Sequence, residues 1–257
     1  MAGMIVEQIA VLSDNYIYVV HDPRSGATAT VDPALAEPVL DLLDRRGWRL
    51  DLVLNTHHHG DHTGGNRDLR QATGARVVGA RRDGGRIPGL DQGVGDGEVF
   101  LLGDAPVRVM EVPGHTSGHI AFWLAGEDKL FCGDTLFSLG CGRLFEGTAA
   151  QMWASLCALR ELPGETQVYC AHEYTAANGR FARTVEPDNL ALQDRLAEVE
   201  RLRGIGRPTV PTTIALERAT NPFLRADEDG LARALGLAAG SDPAEVFAEL
   251  RRRKDVF

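Results

Sequence analysis

The heptapeptide THHHGDH, residues 56 to 62, gathers four of the chain's eight histidines and one aspartate into seven positions. Imidazole and carboxylate are borderline-to-hard ligands that suit zinc, iron or manganese. Side chains two apart on an extended backbone point the same way, so His57 and His59 can face one point while His58 turns aside, toward a supporting partner or toward solvent. Asp61 and His62 follow across the Gly60 turn and can supply a second set. These are more ligands than one tetrahedral ion uses, which makes two neighbouring ions the natural reading. A purification tag would be a terminal homopolymer, whereas this cluster is interrupted and internal.

Three later residues have the same chemistry. His115 lies in the Gly-rich turn VPGHTSGH, Asp134 in CGDTLF and His172 in VYCAHEYT, and each follows an apolar run that reads as a strand. Ligands placed at strand ends converge on a common rim of a layered sheet. His119 opens the next strand and reads as a packed or supporting residue.

The elements that must carry these residues can be read from periodicity and punctuation. Strand-like runs occupy 4–12, 16–20, 27–32, 50–55, 75–80, 107–112, 119–124, 129–134 and 166–171. Helices are predicted from just after Asp32, with Asp32 as N-cap and Pro33 at the first helical position, and then over 65–74 and 148–162. The Gly-rich stretch 84–97 fits no nucleotide fingerprint and reads as a surface loop. After about residue 173 the strand signal stops. Two helices broken at Pro187 are expected over 174–203, and a last one over 242–255, capped by Asp242 with Pro243 behind it. Strands before helices, with early hairpin-like pairs, give a mixed α/β or α+β layered fold followed by a helical appendage.

Composition narrows the class. Apolar residues are 44% and charged residues 25% of 257, ordinary for a soluble globular chain. A formal charge of -9 argues against a nucleic-acid partner, so an anionic ligand must be caught by local cations. Cys132, Cys141, Cys157 and Cys170 form no CxxC pair and read as reduced thiols of a cytoplasmic protein. No signal peptide and no run long enough for a membrane span is visible.

The THxHxDH signature, the GHTxGH turn, GDTLF and AHEYT together resemble the metallo-β-lactamase superfamily over most of residues 1 to 175. The stretches 133–152, 171–189 and 213–225 and the terminal RRRKD resemble the hydroxyacylglutathione hydrolases, the glyoxalase II family, over essentially the whole chain. The resemblance implies an α+β, four-layered αββα domain over 1–173 and a helical, glutathione-binding domain over 174–257. It implies two divalent ions per chain, one held by His57, His59 and His115 and the other by Asp61, His62 and His172, with Asp134 bridging; zinc leads, with iron and manganese as alternatives. It implies Arg143, Tyr174, Arg251 and Lys254 as contacts for glutathione, and hydrolysis of S-D-lactoylglutathione to glutathione and D-lactate, the second step of methylglyoxal detoxification; a monomer is the expected state.

The residues agree with that chemistry. Two metal ions can lower the pKa of a shared water from 15.7 toward about 7 and polarise a carbonyl, and a thiol with pKa near 8.5 leaves without a strong acid. No GxSxG elbow suggests a serine mechanism. Asp61 could accept the water's proton, although a ligand is a poor free base. Arg251 and Lys254 are three apart on one helix face and can share a carboxylate, while Arg252 and Arg253 read as complements of the helix dipole. The chain departs from the family in having Arg143 where lysine is frequent, which keeps the charge, and Phe145 where tyrosine is frequent, which removes a hydrogen-bond donor and bears on affinity for the tripeptide. The alternatives are a mononuclear iron persulfide dioxygenase, which does not need the second ligand set, and a catalytically silent metal-binding module, which usually lacks a ligand that is present here.

Overall fold

The computed structural model describes residues 3–257; the first two residues of the expected 1–173 domain lie outside the described residues. The chain forms two compact units interleaved along the sequence, one of residues up to Glu111 with Gly118–Gly133, the other of Val112–Ser117 with Asp134–Phe257.

In the first unit β1 (Ile5–Val11), β2 (Asn15–His21) and β3 (Thr28–Val31) make an antiparallel meander. From β3 the sheet turns parallel. α1 (Glu37–Arg46) crosses to β4 (Leu52–Leu54), α2 (Gly60–Thr63) and α3 (Asn66–Thr73) lead to β5 (Arg76–Ala80), and β6 (Leu90–Val94) completes it. Strands covered by crossover helices read as unbroken apolar runs, as LVL and RVVGA do. The helices bury Val39, Leu42, Leu43 and Leu69 against Ile17, Val19, Val53 and Val77. Each such side chain contributes about 1.5–3 kcal/mol by leaving water. A second antiparallel meander runs through β7 (Val99–Leu102), β8 (Ala105–Glu111), β9 (Ile120–Leu124) and β10 (Lys129–Gly133).

From Asp134 the second unit continues into a very short hairpin, β11 (Leu136–Phe137) and β12 (Gly140–Cys141). α4 (Ala149–Arg160) starts at a capping box in which Thr148 and Gln151 satisfy each other's backbone N–H groups. β13 (Gln167–Cys170), α5 (Thr175–Val185) and α6 (Leu190–Gly204) follow, then β14 (Thr212–Thr213), α7 (Ile214–Thr220), α8 (Asp229–Ala234) and α9 (Pro243–Asp255). α4 packs on α9 and α5 on α6; Phe223 stacks on Phe181 at 6.0 Å and meets Phe247 edge to face at 5.8 Å.

Three expectations are corrected. The first helix begins at Glu37 rather than after Asp32, with Pro38 in its first turn, because Asp32 is drawn away by long-range partners and sits at φ +50. The stretch 84–97 contains β6, which pairs parallel with β5; a Cβ at Gly93 would stand 2.9 Å from the Arg81 Cα, so the glycine permits close approach rather than marking a loop. Strand structure also recurs after residue 173, where Thr212 and Thr213 pair antiparallel with Gln167 and Val168. The last helix behaves as read, Asp242 accepting from the Ala244 N–H.

Candidate metal centre

β4 ends at Leu54, and past Asn55 the chain leaves the sheet, so its polar groups must find other partners. Asn55 donates to the His62 carbonyl at 2.9 Å and exchanges hydrogen bonds with Asn66, which ties the two ends of the histidine loop together. The buried carboxylate of Asp32 accepts from the Thr56 N–H at 2.8 Å and from the Thr56 hydroxyl at 2.7 Å, and lies 3.1 Å from His62 Nδ1. Thr56 Oγ1 in turn lies 3.1 Å from His57 Nδ1. With both Nδ1 atoms engaged, each ring has Nε2 as the atom that could meet a metal ion, the way an outer partner fixes the tautomer of a ligating histidine.

These ligand atoms converge. His57 Nε2 is 3.0 Å from His59 Nδ1, the His57 and His62 rings are 4.1 Å apart, and His62 Nε2 is 3.5 Å from Asp61 Oδ2. His59 stands at the N-cap of α2, whose single turn brings Asp61 and His62 back toward the strand end. Asn15 donates to the Asp61 carboxylate at 3.1 Å and to its carbonyl at 3.2 Å. His119 stacks on His57 at 4.6 Å, an outer packing role in keeping with its reading. His58 turns aside, its Nδ1 3.3 Å from Asp83.

The second unit carries the other three residues. His115 Nδ1 meets the Arg143 carbonyl at 2.9 Å; a carbonyl only accepts, so Nδ1 carries the proton and Nε2 is the atom that could meet a metal ion. That Nε2 lies 3.4 Å from one oxygen of Asp134, and His172 Nε2 lies 3.3 Å from the other. The two oxygens of Asp134 thus face two different imidazoles. Gly142 is required beside it: a Cβ there would stand 1.9 Å from the Asp134 carbonyl and 3.1 Å from His115 Nδ1. His172 stacks on Tyr174 at 4.8 Å with rings almost parallel, and Phe137 meets both edge-on. Neutral imidazole and carboxylate at these spacings fit zinc, iron or manganese.

The residues expected to contact glutathione lie in the same unit. Arg143 has a side chain 66% exposed, with Asp255 3.9 Å away. Arg251 is buried: it donates to the Cys141 carbonyl at 2.9 Å, pairs with Asp255 at 2.9 Å and covers the Phe223 ring. Lys254 stands over Phe181 and Phe257, and its pKa is lowered, first by burial and then by the charges of Arg251, Arg180 and Arg143. Arg252 and Arg253 pair with Glu249, whose carboxyl they pull down to about 2. Phe145, 64% exposed, meets His115 edge to face at 5.1 Å.

Sequence reasoning missed Asp32, Asn15 and Asp83. The signal for Asp32 was present, since it ends a strand as the candidate ligands do, but its position before Pro33 made a helix cap the simpler reading. Asn15 and Asp83 have no local signature, because each is defined by a partner 46 or 25 positions away in the chain.

Residues 12–172 match the metallo-beta-lactamase superfamily, and residues 173–257 match the C-terminus of hydroxyacylglutathione hydrolase. The chain is 62% identical to a hydroxyacylglutathione hydrolase of Methylococcus capsulatus, with 97% of each chain covered, and 54% identical to that of Rhodospirillum rubrum over the full length of both. Among solved structures it is similar to ETHE1 from Myxococcus xanthus (TM-score 0.71, 28% identity, 97% of this chain and 90% of that one). It is also similar to TTHA1623, solved in a di-iron-bound form (TM-score 0.61, 25% identity, 85% and 99%). With its α+β architecture, its helical C-terminal region and its histidine and aspartate groups able to hold a metal ion, the chain belongs to the hydroxyacylglutathione hydrolase family of the metallo-β-lactamase superfamily.

Proposed function

We propose that this protein hydrolyses S-D-lactoylglutathione to glutathione and D-lactate, using two divalent ions. One ion is assigned to His57, His59 and His115 and the other to Asp61, His62 and His172, with Asp134 shared. The observation that carries the reading is the carboxylate of Asp134, whose two oxygens each face a different histidine. It is supported by the clustering of His57, His59, Asp61 and His62 within the first unit, where His57 Nε2 is 3.0 Å from His59 Nδ1 and His62 Nε2 is 3.5 Å from Asp61 Oδ2. The di-iron form of TTHA1623 supports two ions over one. When bound, such a pair supplies an acidified water and a polarised carbonyl. Zinc is the first choice, with iron and manganese suited to the same donors.

The chain's own residues do the rest. Asp32 holds His62, and through Thr56 also His57, with Nε2 of each ring left toward the metal ions. Asp61, steadied by Asn15, can accept a proton from the attacking water. Arg143, Tyr174 and Lys254 receive the tripeptide, and Arg251, buried and paired with Asp255, adds to the positive charge around Lys254. A carboxylate arriving beside Lys254 restores the cation that burial and its neighbours disfavour. We assign catalysis to residues 1–173 and glutathione binding to 174–257, with Arg143 contributed by the first, and place the protein in the cytoplasm as a monomer. Among the described residues no helix is long and apolar enough to cross a membrane.

The test is thiol release from S-D-lactoylglutathione by the metal-loaded protein, beside a simple acyl thioester lacking glutathione. Fast release that depends on the glutathione portion is expected. No release from a sample holding two metal ions per chain would overturn the reading and turn attention to oxygen consumption with glutathione persulfide.

A further inference from the structure

The hairpin from Leu136 to Cys141 joins two residues of the proposed centre, since Asp134 precedes it by two positions and Arg143 follows it by two. Its two paired positions on each strand are too few to hold a fixed shape alone. Its turn is also strained, because Leu139 adopts φ +59, a conformation that side chains with a Cβ disfavour. Something else must hold it.

The grip comes from residues remote in sequence. Glu217, fully buried on α7, accepts from the Leu139 N–H at 2.8 Å, from the Thr212 hydroxyl at 2.7 Å and from Asn221 Nδ2 at 2.9 Å. Asn221, also fully buried, donates to the Phe137 and Gly140 carbonyls at 3.1 and 3.0 Å, one on each strand. Asn178 on α5 donates to the Ser138 carbonyl at 3.1 Å, and Arg251 on α9 to the Cys141 carbonyl at 2.9 Å. Leu139 itself is buried against Ala182 and Leu192. Past the hairpin the chain cannot drift. Gly142 donates to the Thr135 carbonyl at 3.3 Å, and the Arg143 carbonyl meets His115 Nδ1 at 2.9 Å. A displaced hairpin therefore moves Asp134, His115 and Arg143 together.

We propose that Glu217 and Asn221 are positioning residues that set the bridging carboxylate of Asp134 and the substrate cation Arg143 by clamping the Leu136–Cys141 hairpin. This rests on the reading of Asp134 as a shared ligand. The carboxylate of Glu217 faces only donors among its hydrogen-bond partners, which suits its ionised form even though burial raises its pKa. Buried, the clamp works in a low dielectric, where a charged acceptor holds an N–H about twice as firmly as a neutral one.

The experiment compares Glu217→Gln, Asn221→Ala and the milder Asn178→Ala with wild type in zinc affinity by chelator competition, kcat and KM for S-D-lactoylglutathione, and Tm. Glu217→Gln is expected to weaken zinc binding by about tenfold, in the range found for outer partners of metal ligands. It should lower kcat and raise KM together, since one hairpin sets both residues. Asn178→Ala should act in the same direction with a smaller size. Glu217→Asp, which keeps the charge, should recover part of the zinc affinity. Variants that lose Tm while their folded fraction keeps wild-type zinc affinity, kcat and KM would overturn the proposal. If Glu217→Gln or Asn221→Ala does not fold, unchanged zinc affinity in Asn178→Ala overturns it alone. A wild type that binds two zinc ions yet releases no thiol would instead count against the proposed substrate, and the zinc affinities would still judge the clamp.

Discussion

The two ligand-bearing regions are built by opposite means. The His57–His62 loop is local in sequence, and outer side chains orient it: Asp32 on His62 and Thr56, Asn15 on Asp61, Asp83 on His58. His115, Asp134 and His172 are scattered through the chain, and backbone does much of their orienting: the Arg143 carbonyl on His115 and the close approach of Gly142 to Asp134. A side-chain partner can be removed and leave the loop in place, with its histidines less well aimed. A backbone contact cannot be removed without moving the chain. The first region should therefore lose affinity by degrees, and the second should fail abruptly.

Gly142→Ala is the sharpest way to break this contrast. Its Cβ would overlap the Asp134 carbonyl, and a displacement on the order of 1 Å at a catalytic group costs roughly a hundredfold in rate. Activity is expected to fall by at least that much, with under two metal ions per chain by elemental analysis. Retention of both would show that the Asp134 region yields as easily as the histidine loop. Next in size, Asp32→Ala removes the acceptor for the Thr56 N–H, the Thr56 hydroxyl and His62 Nδ1. Metal affinity should drop about 10- to 100-fold, and stability by about 1–3 kcal/mol for the orphaned groups. Chelator titration and thermal melts check both, and unchanged affinity would deny Asp32 its orienting role.

The smallest effect concerns the basic face of α9. The pKa of Lys254 is lowered, so its charge is lost as pH rises through a value below that of an ordinary lysine. A carboxylate that needs the cation should then bind well at neutral pH and less well above it. KM for the glutathione thioester is expected to climb as pH rises, by about tenfold, while kcat holds. Lys254→Met should show the higher KM at neutral pH and a flat profile. A wild-type KM that ignores pH would remove Lys254 from the substrate site.

Much of this was legible from residue order alone. THHHGDH exposed the metal-binding loop because four donors of one kind within seven positions need no tertiary information to be noticed. The strands ending near His115, Asp134 and His172 were visible as apolar runs closed by polar residues, and α9 was visible from its cap and proline. The sequence also carried the family, since ligand spacing and C-terminal segments both match it. Where local punctuation had a competing use, the reading slipped. Asp32 before Pro33 looked like a cap, and the glycines around β6 looked like a loop.

What only tertiary structure decided is which atom each side chain presents, and to what. A sequence states that Asp32, Asn15 and Glu217 are polar; it does not state that burial forces each to find a donor or acceptor far along the chain. Those pairings are set by where the sheets and helices bring the backbone. They determine which ring nitrogen of His57, His62 and His115 is left for a metal, and they turn a short strained hairpin into a fixed support for Asp134. The donor types were fixed by the sequence because chemistry belongs to residues; their aim was fixed by the fold because aim is a property of neighbours.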